Sequence, residues 1–240
     1  MNDYKRDFLA RFDGLQSNVI FCMWAGQNEM STQRIQALWS IYNNTHCPIM
    51  FINHRSVRDW EKPESPYHPA FDYLSYTHQS DYIRTYLMHH YGGGWADIKQ
   101  TFSDWRPFFD KLRKSDALAL GYQELPDGIP HLKNALGDML RLNYKDNIGL
   151  CAFIFKRNSV FTHEWFELLH KKLDELLPVL RKHPATHPQD QYGLRLPSGL
   201  QSMYPINWAD ILGEIFHPIA YKNRLKIIQS DIAPQFYAYR

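Results

Sequence analysis

The stretch from Ser80 to Thr101 reads SDYIRTYLMHHYGGGWADIKQT, and its hydrophobic spacing changes period in the middle. Before the glycines, Tyr82, Ile83, Tyr86, Leu87 and Tyr91 recur at helical spacing, which predicts an amphipathic helix over Gln79 to Tyr91. Gly92, Gly93 and Gly94 stop that helix, because residues without a Cβ reach the left-handed backbone that a helix end uses. A strand, WADI, follows at once. Trp95, Asp97 and Lys99 alternate along it, which sends an acid and a base to the same side of a sheet. Asp81 and Arg84 are three residues apart and share one helix face. The glycine reversal returns the strand end to the helix start, so these four polar residues are expected to gather.

Working outward, NVIFCMWA from Asn18 to Ala25 is a short run of strand formers ending at Gly26, and it reads as a buried first strand. Ser31 is placed to cap a helix in which Ile35, Leu38, Trp39 and Tyr42 recur, and Asn43-Asn44 ends it. Pro48 to Ile52 supplies the next strand. Strand, helix and strand in this order predict a parallel βαβ unit, whose ligands bind beyond the carboxyl ends of the strands, where Trp24 lies. Residues 55–69 hold three prolines and several charges and read as an irregular loop within one domain. Further strands are expected at Ala117 to Tyr122 and Ile148 to Phe155, with a long helix at Phe161 to Leu180.

Composition narrows the function classes. The chain has 240 residues, 44% hydrophobic and 22% charged, ordinary values for a globular fold. A net charge of +2 gives no support to nucleic-acid binding. Cys22, Cys47 and Cys151 form neither a metal-type spacing nor a disulfide framework, which fits a reducing cytoplasm. The start lacks the apolar core of a secretory signal, and no apolar run reaches membrane-spanning length. The basic residues around the end of the long helix leave room for peripheral contact with the inner face of the cytoplasmic membrane. Aromatic residues make up 15% of the chain, and their flat rings suit both core packing and stacking on bases and sugars.

The order of SDxxR, glycine turn and strand-end aspartate resembles the capsular-polysaccharide-synthesis and DXD-type glycosyltransferases, whose motif runs approximately SDxxRxxxLxxxGGxYxDxD. It is also similar to the catalytic domains of the large clostridial glucosylating toxins, and Met23-Trp24-Ala25-Gly26 resembles their early strand end. The likeness covers roughly the first two-thirds of the chain, while YPINWADILGEIFHP in the last third is a looser match. The resemblance implies an α/β, GT-A-like single domain over residues 1–240, with a Rossmann-like, mostly parallel central sheet flanked by helices. Residues 1–155 would hold the nucleotide-sugar and 156–240 would close the acceptor side.

Carried across residue by residue, the resemblance implies that Trp24 flanks the nucleotide base and that Asp81 and Arg84 hydrogen-bond the donor sugar and ribose. Gly93 and Gly94 would approach the substrate, and Asp97 would match the motif's first aspartate. Lys99 stands where the second, metal-binding aspartate belongs. Two expectations follow. In one, Lys99 supplies the positive charge beside the leaving diphosphate and no metal is needed. In the other, manganese or magnesium is held by Asp97 with a later ligand such as His217 or Asp190; Asp190 is also a candidate substrate-binding residue, as a base on the acceptor side. Plain structural readings stand beside these: a helix-surface ion pair for Asp81 and Arg84, core packing for Trp24, a lone structural histidine for His217, and a loop aspartate bonding local amides for Asp190.

The expected activity is transfer of a sugar, with retention, from a nucleoside-diphosphate sugar such as a UDP-sugar to a glycan or lipid-linked glycan of a bacterial surface, as in capsule, O-antigen or lipooligosaccharide. The lost aspartate motivates an alternative, a degenerate protein that binds a nucleotide-sugar or glycan without turning it over.

Overall fold

The computed structural model describes residues 3–130, 132 and 134–237. In chain order its elements are α1 (Asp3–Arg11), β1 (Ile20–Trp24), α2 (Thr32–Asn44), β2 (Ile49–Asn53), α3 (Tyr76–His90), β3 (Gly93–Ala96), α4 (Arg106–Arg113), β4 (Ala119–Gln123), α5 (Ala135–Leu142), β5 (Ile148–Phe155), α6 (Val160–Leu180), α7 (Gly213–Lys222) and β6 (Ile227–Gln229). The strands form one sheet in the order β2-β1-β3-β5-β4-β6. β1 pairs in parallel with β2 and β3, and β4 with β6, whereas β5 runs antiparallel to both its neighbours. The result is a mostly parallel α/β sheet. β6, from the last part of the chain, completes it.

Strand alternation builds two cores. Phe21, Met23, Trp95, Phe153 and Phe155 face one side, where α3, α6 and α7 cover them. Ile20, Cys22, Ala96, Ala152 and Ile154 face the other, beneath α2 and α4. Ser31 caps α2 as the sequence suggests, accepting from the Arg34 amide at 3.3 Å. The buried face of α2 differs from the expected one. Ala37 and Ile41 pack on the sheet, while Ile35, Trp39 and Tyr42 are exposed. Both sets recur at helical spacing, and the face with the small alanine allows the closer approach of helix to sheet.

The turn after α3 is tighter than a loop. Gly92, at φ 62°, donates to the Leu87 carbonyl at 3.0 Å, and Gly94 already donates to Val19 O at 2.8 Å. The glycines therefore enter the sheet themselves, and β3 begins two residues before the expected WADI strand.

α3 and α6 meet along a histidine-rich seam. His89 stacks on Phe166 at 4.6 Å, His170 lies 4.0 Å from the same ring, and His90 lies 4.3 Å from Tyr86. His170 Nε2 is 3.2 Å from the Tyr82 hydroxyl, and His68 pairs with Asp174 at 3.0 Å. Burial, then neighbouring histidines, lower His89 and His170 to about 4 and His90 to about 3, with Lys62 adding to the effect on His89 and His90. Asp174 opposes the shift at His170.

These rings stay neutral in the fold but take up protons below about pH 6.5 once the chain unfolds. The penalty is absent above that pH and grows as the pH falls toward the folded values. Urea midpoints are therefore expected to be highest near neutrality and to drop between about pH 6.5 and 4, with a shallower drop in His89→Phe. A midpoint that holds constant from about pH 7 to pH 5 would contradict a neutral seam.

Candidate active site

The carboxyl ends of β1, β2 and β3 lie along one sheet edge, and the antiparallel β5 brings its beginning to the same place, since Ala96 is paired with Ala152. Asp97 leaves β3 there, its amide donating to the Cys151 carbonyl at 2.8 Å. Asp97 and Lys99 stand just past the strand, not within it. A tight turn, with the Lys99 amide 2.7 Å from Asp97 O, folds the lysine back onto the aspartate.

Four of the expected residues come together here. Arg84, from the helix that leads into the glycine turn, donates from Nη2 to Asp97 Oδ1 at 3.1 Å and lies 3.4 Å from Asp81 Oδ1. Its Nη1 donates to the Leu150 carbonyl at 2.6 Å, and its guanidinium lies 4.9 Å from the Trp95 ring centre. Trp95 Nε1 adds a second donor to Asp97 Oδ1 at 2.9 Å. Lys99 Nζ donates to Asp97 Oδ2 at 2.8 Å and to Cys151 Sγ at 3.0 Å. Side-chain exposure is 6% for Arg84, 9% for Lys99, 7% for Asp81 and 22% for Asp97, so these charges act largely out of bulk water.

The two carboxyls are held in opposite states. Burial alone would raise Asp97, but Lys99, Arg84 and the hydrogen bonds from Lys99 and Trp95 outweigh it and hold the group well below the usual carboxylate range. Asp81 is pushed up to about 7, first by burial and then by Asp97, against the pull of Arg84. Lys99 is stabilised as an ammonium above its ordinary value by Asp97 and Cys151, against burial. The Cys151 thiol is pushed up to about 11 by burial and Asp97, so near neutrality it receives a hydrogen bond from Lys99 as a thiol and is not a thiolate nucleophile. Neither Cys151 nor the Leu150 carbonyl is marked by any local pattern, because their role depends on the antiparallel pairing of β5 with β3.

The remaining candidates are placed differently. Trp24 ends β1 beside Asn53, half-buried, with Nε1 bonded to the Asn28 carbonyl at 2.9 Å. Asp190 is buried in the loop that covers the start of α3. Its Oδ2 accepts from the Thr186 amide at 2.8 Å, and Oδ1 has no hydrogen-bond partner among the described residues. Asp190 and Asp81 both raise the Tyr204 phenol, whose shift is mainly due to burial, and Tyr204 is bonded to His78 Nδ1 at 3.0 Å.

Gly93 and Gly94 are packed into the start of β3. Gly94 aligns with Ile20 at the amino end of β1, away from Asp97, and a Cβ on Gly93 would lie 2.8 Å from the Val19 carbonyl oxygen at φ 91°.

The donor set does not fit the expected metal. Both Asp97 oxygens already receive cationic donors, so a divalent ion there would face Lys99 and Arg84 directly. His217 sits elsewhere: its Nδ1 donates to the Gly213 carbonyl at 3.0 Å and its Nε2 is hydrogen-bonded to Glu124 Oε2 at 2.8 Å, which leaves neither nitrogen for an ion. Among the described residues no group of three His, Cys, Asp or Glu side chains could hold a metal.

Gly93→Ala is expected to lower stability in urea by about 1–3 kcal/mol, from backbone strain and the close Val19 oxygen. A stable variant with weakened ligand binding would instead restore the substrate-contact role. Comparison of the chain with models of known families, with curated proteins and with solved structures found no match.

Proposed function

We propose that the protein is a glycosyltransferase that moves a hexose-type unit from a nucleoside-diphosphate sugar, most simply a UDP-sugar, to a glycan or lipid-linked glycan acceptor of a bacterial surface. The observation that carries the reading is the meeting of Arg84 and Lys99 on Asp97 at the carboxyl edge of the sheet, with Asp81 held near neutrality beside them. Buried, mutually dependent charges are expensive to assemble and add little net stability, so their collection at a sheet edge favours a functional role.

Transfer breaks the bond from the anomeric carbon to the diphosphate, and the leaving oxygen takes the electron pair. Lys99 is suited to meet that charge, which is the largest electrostatic demand of such a reaction. Arg84 keeps Asp97 ionised and oriented, and Asp97 in turn holds the Lys99 ammonium. Asp81, able to donate or accept near pH 7, is suited to a sugar hydroxyl. The acceptor hydroxyl attacks from the face that the diphosphate leaves, giving retention, and its proton passes to the departing phosphate oxygen. In this reading Lys99 supplies the positive charge that a metal ion would otherwise supply. No helix among the described residues is long and apolar enough to cross a membrane, and an acceptor at the inner face of the cytoplasmic membrane would be reached by peripheral contact.

The test is nucleoside-diphosphate release from UDP-, GDP- and dTDP-sugars, each with manganese and with EDTA. Release that survives EDTA and falls about 10²–10³-fold in Lys99→Ala is expected. Release that requires manganese and persists in Lys99→Ala contradicts the role given to the lysine. Nucleotide binding with no release from any donor favours the alternative, a protein that binds the nucleotide-sugar without turning it over.

A further inference from the structure

Past β6 the chain does not leave the sheet. It crosses the carboxyl edge from β4 toward the exit of β3. The Ser230 amide donates to the Gly121 carbonyl at 2.9 Å, the Ser103 hydroxyl donates to the Asp231 carbonyl at 2.7 Å, and the Gln235 amide donates to the Gln100 carbonyl at 2.8 Å. Ile232 is fully buried in the same core as Ile98 and Tyr122. The Phe236 ring then lies 5.7 Å from the Tyr122 ring.

These contacts bracket Lys99 from two sides. On one side, Gln100 follows Lys99 directly, so the Gln235 amide fixes the backbone next to the lysine. On the other, Lys99 Nζ rests on Cys151 Sγ, the Cys151 amide donates to the Tyr122 hydroxyl at 3.4 Å, and Phe236 backs Tyr122. Gly149 makes this second path possible, because a Cβ there would overlap the Tyr122 ring. A four-carbon side chain such as lysine loses much rotamer freedom when it is held in one place, and fixing its backbone and its sulfur partner reduces what binding must still order.

Building on the proposed function, we infer that the segment Ser230–Tyr237 is a positioning element of the site, with the Gln235 amide and the Phe236 ring setting the Lys99 ammonium for an anionic diphosphate. Neither residue is placed in contact with the ligand; both act through Lys99.

The probes are inorganic pyrophosphate and UDP, titrated calorimetrically into wild type and into Gln235→Pro, Gln235→Ala and Phe236→Ala, each also in a Lys99→Ala background. Gln235→Pro removes the donated N–H and is expected to weaken pyrophosphate about ten-fold, the usual scale of one hydrogen bond. Gln235→Ala keeps the N–H and is expected to bind as wild type. Phe236→Ala, which leaves the backbone unchanged and carries the test should the proline variant fail to fold, is expected to weaken binding several-fold. All these losses are expected to vanish when Lys99 is already alanine, a non-additivity that a general loss of structure does not produce. Wild-type affinity in both Gln235→Pro and Phe236→Ala, or losses that persist undiminished without Lys99, overturn the inference alone. Failure of the wild-type protein to bind either pyrophosphate or UDP overturns the proposed function and this inference with it.

Discussion

The contact between Arg84 and Asp97 ties the middle of α3 to the exit of β3, and the site depends on it. It exists only because the helix reverses into the sheet without a loop, through Gly92 and Gly93 in left-handed backbone. A Cβ on Gly92 would lie 2.8 Å from the Arg157 amide nitrogen, and one on Gly93 2.8 Å from the Val19 carbonyl oxygen, so the reversal has no room for a side chain. The pair is also costly to half-remove. Deleting one partner of a buried ion pair typically costs about 3–5 kcal/mol, because the other charge remains unpaired in a poorly solvated place. Replacing the whole group by apolar residues is often neutral or better, so the charges are better understood as holding positions than as holding the fold.

Around this contact the environment separates two chemically identical groups. Asp97 receives donors on both oxygens and stays ionised, whereas Asp81, 3.4 Å from the same guanidinium, is pushed up by burial to near its midpoint at neutral pH. Such divergence gives one site a fixed anion and a group that can give or take a proton. The reversed direction of β5 is what completes it. A parallel strand in that place would bring its far end to this edge, and the Leu150 carbonyl and Cys151 thiol would be lost to Arg84 and Lys99.

Much of the scaffold was legible from spacing alone. The runs at β1, β2 and β5, the Ser31 cap and the period change around the glycines all correspond to observed elements, and Asp81, Arg84, Asp97 and Lys99 do gather. The reason for the gathering differs in part: a turn after the strand, not alternation along it, returns Lys99 to Asp97. What local patterns hide is partnership across the chain. His217 looks like a lone histidine because its Glu124 partner is 93 residues away. On α2 two stripes satisfy the same period, and hydrophobicity favours Trp39 where packing distance favours Ala37. The shallow strand β6 and the crossing segment after it carry no periodic signal at all.

The sheet closes late. β6 lies against β4, and the Ser230 hydroxyl that follows it reaches back over 109 residues to Gly121. During synthesis the outer edge of β4 therefore stands open, with unpaired amides and carbonyls, until residues 227–229 have emerged. An open strand edge is a template for pairing with other chains, and contacts this distant in sequence form slowly. The nascent chain thus passes through an interval in which its first strands can already pack while the β4 edge of the sheet is still open to other chains.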